Sequence, residues 1–344
     1  MSVFGFGVIG TGQIARAFVA ALAESQRCRV VHVLGSTPAK GHAFAEQFGV
    51  ARSAERVETL LEDPSVHGVY VAVPHPLHER FTSQALAHGK HVLCEKPLTL
   101  DSRAAERLIA QARSARVILM EAFMYRCHPV IPALLDELQS GSIGMPRRLE
   151  SDFCFEAPYD PTGRLFCKEL GGGAIWDVGG YPISLARLIA GTLEARPYAE
   201  PELVQVEGEV GPSGVDVFAS AELRFASGFT ARARCATRRA LGNRSVIMGD
   251  AGQIEVPDLW LPGGERLGKT QGFVVRGSVG DASARAVPPI RTVQVSAALA
   301  PFALEAERLL DAVELGEVPF PALDAGDTLG NLRTLEAWLA ALAH

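Results

Sequence analysis

Lys96 stands at the end of an apolar run, in Glu95-Lys96-Pro97, and is one of few lysines in this chain: the others are Lys40, Lys90, Lys168 and Lys269, with arginine supplying the remaining basic side chains. An ammonium fixed at a strand end can hydrogen-bond a reacting oxygen and favour its anionic form. Its plainer reading is an ion pair with Glu95 or a cover for apolar surface. Upstream, by about the length of half a Rossmann fold, lies Gly10-Thr11-Gly12-Gln13-Ile14-Ala15. A Gly-x-Gly-x-x-Ala turn between a strand and a helix lets the backbone approach a pyrophosphate closely at the helix N-terminus. The pattern alone is weak, and a glycine turn without ligand is the competing reading. Its place at the start of successive strand–helix units makes it a nucleotide signal, with Gly10, Thr11, Gly12, Gln13 and Ile14 as contacts. Together the two features point to hydride transfer involving a nicotinamide dinucleotide.

The next strand ends in Leu34-Gly35-Ser36-Thr37-Pro38, where an NAD-preferring site would offer an acidic residue to the ribose hydroxyl. None is present. Ser36 and Thr37 can instead hydrogen-bond a 2′-phosphate, with Lys40 or Arg16 nearby to supply charge, so NADP is expected ahead of NAD.

The elements that must hold these residues are legible from periodicity. From Phe4 to about Glu121, short apolar runs alternate with segments of helical period, the signature of βαβ units and a parallel sheet. Strands are expected at Phe4–Ile9, Arg29–Gly35, Gly68–Val73, His91–Cys94 and Val117–Met120. Helices are expected at Ala15–Ser25, Ala39–Phe48, Val57–Glu62, Leu77–His88 and Ser102–Ser114, the last capped by Asp101 or Thr99, with Gly89 at a helix C-cap. A helix near Val130–Gln139, the Ser140-Gly141-Ser142 turn and a strand at Arg147–Phe155 follow. The Gly171-Gly172-Gly173 turn then starts a helix running to about Ile189. From Leu203 to about Val295 strand-like segments dominate, with Val217–Phe225 and Phe229–Cys235 forming a hairpin across Ala226-Ser227-Gly228. Helices at Phe302–Leu315 and Thr328–Leu342 close the chain, and Gly263-Gly264 and Gly277–Gly280 read as loops. The expected division is a nucleotide-binding domain over residues 1–122 and a second domain over 123–344.

At 344 residues two domains are the default. The net charge of −6, with basic residues scattered, gives no pull towards nucleic acid or an anionic bilayer. No apolar run approaches the roughly 20 residues of a membrane span. Cys28, Cys94, Cys127, Cys154, Cys167 and Cys235 contain no Cys-x-x-Cys pair, and no basic leader precedes the first strand, so a reducing cytoplasm is expected. His75 and His78 have a spacing that metals can use, but they flank prolines and have no suitable third ligand nearby, so no metal is expected.

Four segments in order carry a resemblance: Gly10–Ala15; Val73-Pro74-His75-Pro76-Leu77-His78; Gly89–Pro97; and Met120-Glu121-Ala122-Phe123-Met124-Tyr125-Arg126-Cys127-His128-Pro129. With Leu170–Pro182 in the second half, the chain resembles the glucose-fructose oxidoreductase / inositol dehydrogenase / rhizopine-catabolism (Gfo/Idh/MocA) family over nearly its whole length. The resemblance implies an α/β fold, a Rossmann domain joined to a C-terminal α/β domain whose large, mostly antiparallel open sheet often mediates dimer or tetramer formation. It implies Lys96 as the catalytic lysine, with Asp177 and Tyr181 at the acidic and terminal positions of the second-domain motif. It also places Val73, Pro74 and His75 against the cofactor, His78 close to it, and Glu95 and Lys96 beside it. Many relatives have His where this chain has Tyr181; the tyrosine resembles the branch of dimeric dihydrodiol dehydrogenase and NADP-dependent D-xylose dehydrogenase.

Oxidation of a carbinol needs a base for the hydroxyl proton, and Tyr181 is that candidate once a nearby ammonium favours the phenolate. Asp177, four residues earlier, shares its helix face and can orient Lys96 or bind a substrate hydroxyl. Phe153, Phe155, Arg164 and Trp176 are candidates for the substrate pocket. The expected substrate is a sugar, polyol or trans-dihydrodiol, and the expected assembly is a homodimer or a tetramer. Alternatives stay open: an inositol-type dehydrogenase, a non-catalytic dinucleotide-sensing regulator, against which Lys96 and Tyr181 argue, and a tightly bound cofactor serving paired sugar oxidation and reduction.

Overall fold

The computed structural model describes residues 3–261, 268–277 and 290–342. The expected loops at Gly263-Gly264 and, beyond Gly277, at Gly277–Gly280 lie outside the described residues. The chain forms two compact units, residues 1–127 with 298–329, and residues 128–297 with 330–344.

The first unit is a six-stranded sheet in the order β3-β2-β1-β4-β5-β6, with every neighbouring pair parallel. Its strands are β1 (Phe4–Ile9), β2 (Cys28–Leu34), β3 (Arg52–Ala54), β4 (Gly68–Val71), β5 (His91–Glu95) and β6 (Leu119–Ala122). The β1 run Phe-Gly-Phe-Gly-Val-Ile is buried at every position, as a central parallel strand covered on both faces requires. Helices α1 (Gln13–Leu22), α2 (Pro38–Phe48), α3 (Val57–Leu61), α4 (His78–Ala87) and α5 (Ser102–Ala115) supply the crossovers. Beneath α1, Phe18 stacks on Tyr70 with centroids 3.7 Å apart and meets Phe6 edge-on at 5.5 Å. Burying each such ring contributes roughly 1.5–3 kcal/mol.

The caps follow the sequence logic. Asp101 accepts the Arg103 N–H at 2.9 Å to start α5, Thr37 accepts the Lys40 N–H at 3.3 Å to start α2, and Gly89 ends α4 at φ +68°. Element ends shift by a few residues in several places, as where the strand expected to reach Val73 ends at Val71, and β3 and the last strand differ in an instructive way. The three-residue β3 has no apolar pattern to announce it and exists through its edge pairing with β2. The last strand begins at Leu119 rather than Val117, because the Ile118 N–H is taken by Nδ1 of His91 at 3.0 Å, and it runs on through the buried Glu121 and Ala122.

After the short helix α6 (Met124–Cys127), the second unit begins with α7 (Val130–Gln139). Its sheet has nine strands: β7 (Pro146–Glu156), β8 (Glu202–Val210), β9 (Asp216–Arg224), β10 (Thr230–Ala236), β11 (Arg238–Gly242), β12 (Ser245–Gly249), β13 (Gly252–Val256), β14 (Thr270–Gly277) and β15 (Ile290–Ser296). Only the β7–β10 pair is parallel. The expected hairpin is β9 and β10, joined through Gly228 at φ +82°. One face of this sheet packs against α8 (Gly180–Leu193), an almost wholly buried helix. Across the other runs a grid of ion pairs, Arg148 with Glu222 at 2.9 Å, Arg232 with Glu150 at 2.6 Å and Arg234 with Asp152 at 2.6 Å.

The two units differ from the expected division at residue 122. Helix α9 (Pro301–Leu315) packs on α1, β2 and β5 and so belongs with the first sheet, and α10 (Ala325–Leu342) is divided between the units. Asp327 on α10 pairs with Arg126 at 2.7 Å, and both are buried. The guanidinium also donates to the Pro321 carbonyl at 2.6 Å. A buried pair of this kind is tolerated because its remaining donors are satisfied. All six cysteines are unpaired thiols, and among the described residues no helix is long and apolar enough to cross a membrane.

Candidate active site

In the first unit the loops after β1, β2 and β4 open onto a cleft of about 930 Å³. Gly10 makes the turn at φ +116°, and a Cβ there would lie 2.1 Å from the Ala72 carbonyl oxygen. Gly12, two residues on, faces open space with nothing within 4 Å of an added Cβ. It precedes α1, whose start has no side-chain cap and no acidic residue in its first turn. The helix therefore presents free N–H donors and the positive end of its dipole, together with the glycine cradle that a pyrophosphate requires. These residues fit a dinucleotide.

Of the sequence-predicted cofactor contacts, Gly10, Thr11, Gly12, Ser36, Val73 and Pro74 line this cleft, together with Lys40, whereas His75, His78, Glu95 and Lys96 are not in its wall. Gln13 and Ile14 occupy the first turn of α1 behind it. Thr37 is engaged as the α2 cap. Arg16, also in the wall, lies over the rings of Phe44 and Phe48 at 5.5 and 5.9 Å. Two further cations, Arg56 and Arg80, line the same cleft and were not singled out from the sequence. They come from the segment after β3 and from α4, and neither segment carries a pattern that points to β2.

His78 and Glu95 support this region from behind. The His78 ring is fully buried, with Nδ1 2.7 Å from the Pro97 carbonyl and Nε2 2.9 Å from the Val73 carbonyl. A neutral imidazole donates to only one of them, and burial holds its pKa below the ordinary value, while the two carbonyls favour the protonated ring. The ring thus joins the loop after β4 to the turn carrying Lys96. Its edge-on neighbour His75 is 5.6 Å away. The Glu95 carboxylate accepts the Tyr70 hydroxyl.

In the second unit the Gly171–Gly173 segment leads into a wide π-helical turn, Ile175–Gly179, and then α8. Asp177 is buried there, its carboxylate accepting from Arg164 Nη1 at 2.7 Å. Tyr181, in the first turn of α8, meets Phe153 edge-on at 5.0 Å and Trp260 at 5.4 Å. Phe153 stacks on Trp260 at 5.8 Å and contacts Phe155 at 6.3 Å. Trp260 is anchored by its indole N–H to the Asp152 carbonyl at 2.7 Å. Trp176 is buried within the π-helical turn. Arg164 thus meets Asp177, and Phe153 joins Tyr181 to Phe155.

Asp216, at the start of β9, is a supporting residue that spacing did not indicate. Its Oδ2 accepts the Ile175 N–H at 2.7 Å, capping the turn that carries Asp177 and Tyr181. Gly173, at φ +124°, is required because a Cβ would lie 2.3 Å from Asp216 Oδ1. Burial pushes the Asp216 carboxyl up to about 6, against the backbone donors that favour its ionised form.

Residues 4–123 match the pattern described as an oxidoreductase family with an NAD-binding Rossmann fold, GFO_IDH_MocA, and residues 133–255 match the GFO/IDH/MocA C-terminal domain. An uncharacterized oxidoreductase of Rhizobium meliloti is 32% identical over 98% of this chain and 96% of its own. The chain belongs to the Gfo/Idh/MocA oxidoreductase family. Another relative is the trans-1,2-dihydrobenzene-1,2-diol dehydrogenase of Mus musculus, 31% identical over 78% of this chain and 83% of its own. A solved 3-ketoreductase of Actinomadura kijaniata, in complex with NADP and TDP-benzene, superposes with a TM-score of 0.84 at 29% identity, covering 99% of this chain and 98% of the other. As a Gfo/Idh/MocA member this protein is an NAD(P)-dependent oxidoreductase acting on CH–OH groups.

The glycine turn makes a direct prediction. Gly10→Ala forces a Cβ against the Ala72 carbonyl in a backbone conformation that L residues rarely adopt, so dinucleotide affinity is expected to fall at least about tenfold. Fluorescence titration of reduced dinucleotide checks this, and unchanged affinity in the folded variant contradicts the cradle assignment.

Proposed function

We propose that this protein transfers a hydride between NADP and a hydroxyl or carbonyl of a sugar, polyol or trans-dihydrodiol, with the first unit holding the nucleotide and the second the substrate. The observation that carries the reading is the cleft of the first unit, where an uncapped helix N-terminus and a glycine cradle meet a β2 end without an acid but with Ser36 and Lys40 in the wall. Arg16 and Lys40 supply the charge that a 2′-phosphate would meet, with Arg80 adding to it, whereas Arg56 pairs with Glu58 at 3.3 Å and Glu55 and Glu58 share the wall.

Bound nicotinamide supplies a hydride acceptor or donor at carbon. Lys96 hydrogen-bonds the reacting oxygen, and its ammonium lowers the cost of negative charge there. Tyr181 takes the hydroxyl proton in oxidation and returns it in reduction. Its rigid seat against Phe153 and Trp260 supports this role by fixing the phenol's direction. Asp177, paired with Arg164, orients a substrate hydroxyl. Phe155 and Trp176 are proposed to shape the same pocket.

We place the enzyme in the cytoplasm as a homodimer, with a tetramer as the alternative. Exposed Val204, Val210, Leu241 and Ile290 on β8, β11 and β15 support association through the second unit. Light scattering at micromolar concentration is expected to give twice the chain mass or more, and a monomer contradicts it.

Turnover is expected with NADP in preference to NAD on at least one aldose, inositol or trans-dihydrodiol. Lys96→Met and Tyr181→Phe should each lower kcat by roughly 10²–10⁴-fold while dinucleotide affinity stays within about threefold. Steady-state kinetics with a parallel binding titration checks this, and full turnover by either folded variant sinks its assigned role.

A further inference from the structure

A helix start needs acceptors for its first N–H groups, and the turn that carries Asp177 brings none of its own. Neither the π-helical turn Ile175–Gly179 nor α8 has a side-chain cap, and the residues leading into the turn, Gly173 and Ala174, have no polar side chain to offer. Ala174 and Ile175 are fully buried, so water does not take the place of a cap.

The acceptor comes from the sheet instead. Asp216, 41 residues beyond Ile175 and 3% exposed, starts β9 in register with Val210 of β8. Its Oδ2 accepts the Ile175 N–H at 2.7 Å, and its Oδ1 fills the space beside Gly173 where a Cβ would lie 2.3 Å away. The N–H groups of Ala174 and of Asp216 itself also favour the ionised carboxylate. From this anchor the turn runs on through Asp177, whose N–H donates to the Gly173 carbonyl at 3.0 Å, and so to Tyr181.

Among the described residues no cation pairs with Asp216. Burial and the charge of Asp216 instead raise the Cys235 thiol on β10, and Asp177 adds to this. A buried carboxylate without a counter-ion costs stability that a neutral acceptor avoids. Burial pushes Asp216 up to about 6, above the ordinary carboxylate range, so that cost is fully present once the pH exceeds about 6. A cap that served the fold alone would need no charge.

We propose that Asp216 is a positioning residue for the reaction, an acceptor-only carboxylate that fixes the backbone of the Ile175–Gly179 turn and, through it, the directions of Asp177 and Tyr181. This rests on the roles of Asp177 and Tyr181 proposed above.

The test uses the full chain at pH 8, with NADP and either D-xylose or a benzene trans-dihydrodiol. Asp216→Asn keeps the shape and one acceptor while removing the buried charge, so its Tm should be no lower than that of wild type. Its kcat should nevertheless fall about tenfold, and that of Asp216→Ala about a hundredfold, with the dinucleotide KM within about twofold. Amide exchange read by mass spectrometry should quicken about tenfold over residues 174–181 in Asp216→Asn, while β9, β10 and the first unit stay within about twofold. A lowered Tm with wild-type kcat makes Asp216 a structural cap and overturns the proposal. Unchanged exchange over 174–181 overturns it whatever the turnover. Full turnover by folded Asp177→Asn and Tyr181→Phe overturns it by another route, removing the roles on which it rests while the turn still loosens in Asp216→Asn. If Asp216→Ala does not fold, Asp216→Asn decides alone, and if neither substrate turns over, the exchange pattern decides.

Discussion

The close approach of the Gly10 backbone to the Ala72 carbonyl is the contact on which the nucleotide cleft depends. Strand order in the first sheet reverses at β1, so the chain leaves β1 towards β2 on one side while β4 lies on the other. The C-terminal ends of parallel strands diverge at such a point, and the crevice between their loops is where α/β sheets bind ligands. For the crevice to admit a pyrophosphate, the turn after β1 must pass close to the end of β4. Any side chain at Gly10 blocks that passage. From this one approach follow the exposed α1 N-terminus, the facing Val73-Pro74 wall and the position of His78 behind it.

The second unit solves a different problem, the rigid display of polar side chains on a buried helix. A helix start inside a protein leaves N–H donors that water cannot reach, and Asp216 satisfies them from the start of β9 at the cost of a buried carboxyl. Gly173 exists to make room for that carboxylate. Aromatic rings then fix Tyr181, and Arg164 fixes Asp177. In both units, buried acids hold the backbone of the turns next to the polar residues assigned to chemistry: Glu121 beneath the Lys96 turn, through the Leu98 amide, and Asp216 beneath the Asp177 turn.

Much of this was legible in the sequence because it depends on local chemistry. The glycine turn, the missing acid after β2, the Asp101 cap, the Ala226–Gly228 hairpin and the alternation of strands and helices are short-range signals, and each appears where its physics puts it. The residues that escaped act across long separations. Asp216 meets Ile175, Trp260 meets Tyr181, and α9 covers β2 and β5, all through folding back that no periodicity encodes. Glu121 was visible only as part of a motif, because a buried glutamate in a strand interrupts the apolar pattern instead of advertising itself. Arg56 escaped for the same reason as β3, since the edge of the sheet brings its segment to the cleft, and Arg80 because nothing in the α4 pattern points to the cleft.

The most direct test follows an isotope. Oxidation of a substrate deuterated at the carbinol carbon, in the presence of NADP, should place deuterium on C4 of the nicotinamide ring, read by mass spectrometry and proton NMR of the recovered coenzyme. Label at C4 is the predicted result. Deuterium found only in solvent, alongside product formation, would contradict direct hydride transfer and the account built on it.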